Sequence, residues 1–250
     1  MRLYLIRHAQ SANNIIYDGT DNALGRVADP EITELGIQQS KALARYLSKP
    51  GTEPGQHPFD PKTKPNFGIS HLYCSFMTRT ILTANYLSNE INIPLHVMSS
   101  IFEHKGLYEV TRERKMKGVP GPGRSYFEHR FPNLVLPHSL DESGWWNGSI
   151  ETDEAFRLRV KSAFAYLIAE HGNTNHVVAL VTHWGFMDQF VNEVLGIDPR
   201  PENHRSPWRA DWVFDNTSVS RFDFINGSKN IIYLNRTDHL GLELKSRVVR

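Results

Sequence analysis

Apolar residues in this chain fall into short unbroken runs separated by longer stretches in which they recur every three or four positions. Leu3 to Ile6 and Val177 to Val181 are unbroken runs, the pattern of strands covered on both faces. Ile69 to Cys74 and Leu95 to Met98 read as two further strands. Between them the period lengthens. After Thr33, whose hydroxyl suits an N-cap, Leu35, Gln39, Ala42, Leu43, Tyr46 and Leu47 predict a helix to about Ser48, stopped by Lys49-Pro50-Gly51. Ile81, Leu82, Asn85 and Tyr86 step along a second helix from Thr78 to Glu90. Phe156, Val160, Ala163, Phe164 and Leu167 form the stripe of a third, from Thr152 to Glu170 and ended by Gly172. A fourth carries Phe186, Phe190, Val194 and Leu195 and closes at Gly196, and Val219 to Ile225, Asn226-Gly227 and Ile231 to Leu234 form a hairpin. Strands alternating with helices predict a three-layer α/β/α fold with a mostly parallel central sheet, its right-handed crossovers placing helices on both faces.

Two stretches break the pattern. Residues 51–67 hold Pro54, Pro58, Pro61 and Pro65 with little apolar periodicity, a surface loop. Residues 110–150 contain Gly121-Pro122-Gly123 and Gly144-Trp145-Trp146 and are too long for a plain connection, which favours a functional loop or cap insertion. With 250 residues, a single domain over 1–250 is expected, able to bury roughly 70–75% of its unfolded surface. Lys plus Arg number 28 against 27 Asp plus Glu. That balance offers no basic excess for a nucleic acid or an anionic membrane surface. The lone Cys74 cannot form an intramolecular disulfide or a thiolate metal cluster. Without a long apolar run or signal-peptide core, the chain reads as cytoplasmic.

Ligands of open α/β sheets bind beyond the carboxyl ends of the strands, and two predicted strands deliver Arg7-His8 and Thr182-His183 there. One such histidine would mean little; two sharpen the case. Leu5-Ile6-Arg7-His8-Ala9-Gln10-Ser11-Ala12-Asn13-Asn14 resembles the Arg-His-Gly-Glu-Ser/Thr-x-x-Asn signature of the histidine phosphatase superfamily, which includes phosphoglycerate mutases and many phosphomonoesterases. Asp29 to Gln39, the Ser75 to Ala84 helix entry around Arg79, and Val181-Thr182-His183-Trp184-Gly185 are similar to further family segments in family order, and Asn216-Thr217-Ser218-Val219 also fits. Ala9 and Gln10 stand where Gly and Glu are commoner; both substitutions keep the size or hydrogen bonding of the position, and activity is expected to survive them.

The resemblance implies that His8 attacks phosphorus and becomes a phosphohistidine, while Arg7, Arg79 and His183 bind the charge on the equatorial oxygens. Asn14 would add an amide donor. Family position implies Glu103 as general acid, with Glu109 a rival acid or phosphate contact. No cofactor or metal is implied. The expected partner is a phosphorylated small molecule, with no nucleic acid and no membrane, and the oligomeric state stays open, a dimer among the options. The leading reading is a metal-independent phosphatase of the phosphatase branch; a phosphoglycerate mutase-type phosphotransferase, a phosphotyrosine phosphatase and an inactive phosphate-binding module are the alternatives.

Other features are weighed against plainer readings. The 12 histidines include no His-Glu-x-x-His, so no metal ligand set is read from spacing. Pro122 lacks the amide hydrogen a phosphate loop needs, so Gly121-Pro122-Gly123 reads as a turn. Arg112, Arg114, Lys115, Lys117 and Arg124 form either a solvated face or a substrate contact. Trp145 and Trp146 either pack the long loop onto the core or stack on a substrate.

Overall fold

The computed structural model describes residues 1–16, 25–49, 67–197 and 211–246; the expected Pro-rich loop lies outside them except for Phe67. In chain order the elements are β1 (Arg2–Arg7), α1 (Ala12–Ile16), α2 (Glu34–Ser48), β2 (His71–Cys74), α3 (Thr78–Ile91), β3 (Leu95–Val97), β4 (Tyr108–Val110), β5 (Met116–Gly118), α4 (Arg124–Arg130), β6 (Leu134–Val135), α5 (Asp153–His171), β7 (Val177–Thr182), α6 (Trp184–Leu195), β8 (Val219–Ile225) and β9 (Ser228–Arg236). Seven strands form one sheet in the order β6-β3-β2-β7-β1-β8-β9. The first five run parallel, and β8 and β9 close one side antiparallel.

The two faces of the sheet are read directly from the unbroken apolar runs. Tyr4, Ile6, Ala179 and Val181 pack with Leu43, Leu47, Ile81, Ala84 and Leu87 of α2 and α3. Their neighbours Leu3, Leu5, Val178 and Leu180 pack on the other face with Val160, Phe164, Phe186 and Phe190 of α5 and α6. Alternate side chains of one strand thus enter opposite cores, which is why both runs contain no polar residue. The three-layer α/β/α arrangement is the expected one.

Local chemistry sets the element ends. The Thr33 hydroxyl accepts from the Gly36 amide at 3.0 Å and starts α2. Gly196 ends α6 with a left-handed φ of 66°, whereas Gly172 after α5 stays right-handed at φ −55° and is no left-handed stop. Asn226 and Gly227, at φ 52° and 79°, form the two-residue hairpin turn between β8 and β9.

The 110–150 segment, expected to be a functional loop or cap insertion, has secondary structure of its own. It carries β5, α4 and β6, and β6 extends the main sheet beside β3. These elements are too short for periodicity to reveal. Trp145 stacks on Phe76 at 5.5 Å, and Trp146 lies 5.0 Å from Phe102, so the tryptophans join this segment to the core. Gly106 makes room for this contact, since a Cβ there would come within 2.4 Å of the Trp146 ring.

Candidate active site

The register of the sheet brings the two histidines together. Arg7 pairs with Thr182 across the parallel β1–β7 ladder, and the His8 amide continues it by donating to Thr182 O at 2.9 Å. Each strand therefore ends one residue before a histidine, and the rings of His8 and His183 stand 5.3 Å apart. On the other side of β7, Cys74 pairs with Val181, which sets Ser75 beside His183; Ser75 Oγ lies 2.8 Å from His183 Nε2.

His8 is buried with a fixed tautomer. Its Nδ1 sits 2.7 Å from the Ala9 carbonyl, an acceptor only, so Nδ1 carries the proton and Nε2 holds the lone pair. Arg79 Nε–H donates to Nε2 at 3.2 Å. Burial pushes the His8 pKa well below the usual imidazole range, and the charges of Arg79 and then Arg7 push the same way. The ring is neutral at pH 7, the form a nucleophile requires.

His183 is pushed well below the usual range by burial and then by Arg79 and His8. Its Nδ1 is a buried atom with no hydrogen-bond partner among the described residues, and it carries the ring proton in the tautomer whose Nε2 accepts from the Ser75 hydroxyl. Arg7 Nε and Arg79 NH1 are buried without a hydrogen bond in the same sense. Unpaired buried donors are costly. Three of them beside one imidazole suit an anion whose oxygens would accept from all three.

Both guanidiniums remain charged. Burial lowers Arg7 to about 10, against the opposing pull of Glu103 and then Asp215. Arg79 is likewise lowered to about 10 by burial, with Asp29 and Glu103 opposing. Arg7 NH1 donates to the Phe214 carbonyl at 2.6 Å, which fixes one arm of its fork. Arg79 lies in the first turn of α3, and α6 starts immediately after His183. Two helix N-termini with their positive dipole ends therefore border the site.

Glu103 enters from the segment after β3. Its Oε1 accepts from the His104 amide at 2.8 Å, and its Oε2 accepts from the Gly185 amide in the first turn of α6 at 3.3 Å. A Cβ on Gly185 would lie 2.5 Å from Oε1, so only glycine lets the carboxylate approach this closely. Asn14 borders the group: its Oδ1 accepts from Ser11 N, Ser11 Oγ and Asn216 Nδ2, leaving its NH2 end as donor. The structure thus gathers His8, Arg7, Arg79, His183 and Glu103, with Asn14 at the margin. Glu109 is exposed on β4, paired across from Lys117, and is not gathered with them. Arg112, Arg114, Lys115 and Lys117 are also exposed, while Arg124 is occupied by the Leu140 and Pro137 carbonyls and Glu128.

Sequence reasoning assigned no role to several residues that shape the site. Met77 caps α3 without a side-chain hydrogen bond, and Asp29 supplies it from a distant segment, accepting from Thr78 N at 3.0 Å and Thr78 Oγ1 at 2.6 Å. Its carboxylate also lies 4.0 Å from Arg79 NH1. Asn216 Nδ2 donates to His8 O at 2.9 Å, and the Thr217 amide donates to Arg7 O. Thr217 does so at φ 57°, a left-handed conformation that costs a β-branched residue on the order of 1–3 kcal/mol. No local signal could have linked residue 29 to the start of α3.

The sequence pattern of the histidine phosphatase superfamily (branch 1) matches residues 3–54 and 62–237. The chain belongs to the histidine phosphatase superfamily. Over 247 residues it is 26% identical to phosphoserine phosphatase 1 of Hydrogenobacter thermophilus, covering 96% of this chain and 95% of that one. Among solved structures it superposes on a phosphoserine phosphatase mutant from Entamoeba histolytica in complex with phosphoserine, with TM-score 0.58, 18% identity and coverage of 96% and 98%. The alpha-ribazole phosphatase from Shigella flexneri gives TM-score 0.54, 17% identity and coverage of 94% and 96%. At these identities the structural likeness establishes the fold. No described helix is long and apolar enough to cross a membrane.

Proposed function

We propose that this superfamily member is a phosphomonoesterase that hydrolyses small phosphorylated metabolites through a phosphohistidine on His8. The observation that carries the reading is the tautomer of His8: with Nδ1 tied to the Ala9 carbonyl, the buried neutral ring presents the Nε2 lone pair to the guanidinium of Arg79. On substrate binding, Arg79 exchanges that contact for phosphoryl oxygens, joined by Arg7 and the Nδ1–H of His183.

In the first step, Nε2 forms a bond to phosphorus while the ester P–O bond breaks, and Glu103 in its acid form gives its proton to the leaving oxygen. Water then attacks phosphorus, the N–P bond breaks, and the water proton returns to Glu103. The step requires no metal, because the guanidiniums and helix N-termini already supply positive charge.

Two relatives act on phosphoserine by name, which places phosphoserine first in a substrate panel. Para-nitrophenyl phosphate and a panel of phosphorylated metabolites, including phosphoserine and 3-phosphoglycerate, test the reading. Turnover to inorganic phosphate is expected with at least one member. Isomerisation of 2- to 3-phosphoglycerate, stimulated by the bisphosphate and without phosphate release, would replace it with a mutase.

A further inference from the structure

At the opposite end of the same strands the fold builds a second histidine cluster that the phosphatase reading does not use. His71 opens β2, His171 ends α5 and His176 immediately precedes β7. One nitrogen from each lies within 4.8 Å of the other two. The two Nδ1 atoms of His171 and His176 face each other at 2.9 Å, and the His71 ring is 4.2 Å from that of His176 and 4.8 Å from that of His171. Because β7 has six residues, the cluster stands roughly 20 Å from His183.

Two of the other ring nitrogens are held by neighbouring hydroxyls. Tyr73 OH lies 3.3 Å from His171 Nε2, and Ser70 Oγ lies 2.9 Å from His71 Nδ1, leaving Nε2 as the ligand atom of His71. Metal-bound imidazoles characteristically have their second nitrogen fixed in this way. The loop is pinned as well: Thr174 Oγ1 donates to His171 O at 2.7 Å and accepts from His176 N at 3.0 Å.

We propose that His71, His171 and His176 bind one late first-row divalent cation, with Zn2+ as the probe ion, tying the start of β2 and the start of β7 to the end of α5. Three imidazoles at about 2.0–2.1 Å would set their nitrogens roughly 3.3 Å apart around a tetrahedral ion, which asks the 2.9 Å pair to open slightly and the His71 nitrogen, within 4.8 Å of the others, to close by up to about 1.5 Å. Imidazole donors favour zinc, nickel or copper over magnesium or calcium. The fourth position would be taken by water, since His71 and His176 are only partly buried.

The test uses the full chain freed of metal by chelator and then dialysed. Equilibrium dialysis against Zn2+ with elemental analysis should give one ion per chain, and Zn2+ should raise the melting temperature. Co2+ should give the visible spectrum of a four- or five-coordinate imidazole complex. His71→Gln and His176→Gln should each weaken binding by at least ~10-fold, and Tyr73→Phe should do so less, with para-nitrophenyl phosphate turnover unchanged in all three. The proposal is overturned if the wild-type chain binds no stoichiometric ion, or if both histidine variants retain wild-type affinity. The wild-type stoichiometry decides the matter even if a variant fails to fold.

Discussion

The two ends of the central sheet each gather imidazoles, yet they are built for opposite partners. At the carboxyl ends of β1 and β7, His8 and His183 stand among guanidiniums, and the buried atoms without a hydrogen bond include Arg7 Nε and Arg79 NH1. At the amino ends of β2 and β7, no guanidinium donates to the histidine rings in any hydrogen bond of the described residues; a hydroxyl engages one nitrogen each of His71 and His171, and His171 and His176 are joined through their Nδ1 atoms, with the Arg2 amide donating to the His176 carbonyl. The first surrounds a lone pair with positive charge and suits an anion. The second joins two imidazoles through one shared proton with a third ring beside them, and suits a cation that takes the place of that proton. Side-chain type does not decide a histidine's chemistry; what its second nitrogen and its neighbours do decides it.

The sharpest way to break this comparison is to remove the nucleophile. His8→Ala should lower phosphate-ester turnover by roughly 10^4-fold or more, measured as phosphate release, while Zn2+ binding at the other end is unaffected. Arg79→Lys keeps the charge but loses the planar fork, and should cost on the order of 10^2–10^3 in kcat/KM. Substantial activity in Arg79→Lys would reduce its role to general electrostatics.

The acid is tested by leaving group. Glu103→Gln should slow alkyl phosphate hydrolysis by about 10^2-fold or more and para-nitrophenyl phosphate hydrolysis much less, whereas Glu109→Gln should leave both rates unchanged. The reverse pattern would move the assignment to the exposed carboxylate on β4.

Both clusters also predict one pH effect on stability. The folded-state pKa of His8, His183 and His171 lies below the unfolded value, so the unfolded chain binds more protons in the acid range. Their neutral burial costs nothing extra above about pH 6.5, and stability is lost as pH falls below that value. The melting temperature should drop by roughly 5 °C or more between pH 7 and pH 5. A flat profile would mean these rings are protonated in the folded chain. The smallest expected effect is on kcat: EDTA should lower the melting temperature of zinc-loaded protein and leave kcat unchanged, which separates the two ends in one sample.

Legibility in the sequence followed the range of the interactions. The strands β1 and β7 and the helices α2, α3, α5 and α6 were readable because burial on one or both faces imposes a period on each. Arg7-His8 and Thr182-His183 were readable because a strand end is a local feature. Asp29, which caps α3, and Asn216, which holds the His8 carbonyl, were not readable as site-shaping residues, since each acts on a segment distant in the chain. The same holds for His71: spacing rules find ligands within one segment, and His71 meets His171 and His176 only through the pairing of β2 with β7. β5, α4 and β6 escaped notice for another reason: at three, seven and two residues they span no more than about two repeats of the period that would reveal them.

The central claim is that the Nε2 lone pair of His8 is the nucleophile. Rapid quenching of the full-length protein during turnover, at alkaline pH where phosphohistidine survives, followed by peptide mass spectrometry, tests it most directly. The prediction is one phosphoryl group on His8, formed fast enough to account for turnover and stabilised when Glu103 is replaced by Gln. Turnover without any phosphorylated His8, or phosphorylation of a different residue at the turnover rate, would contradict it.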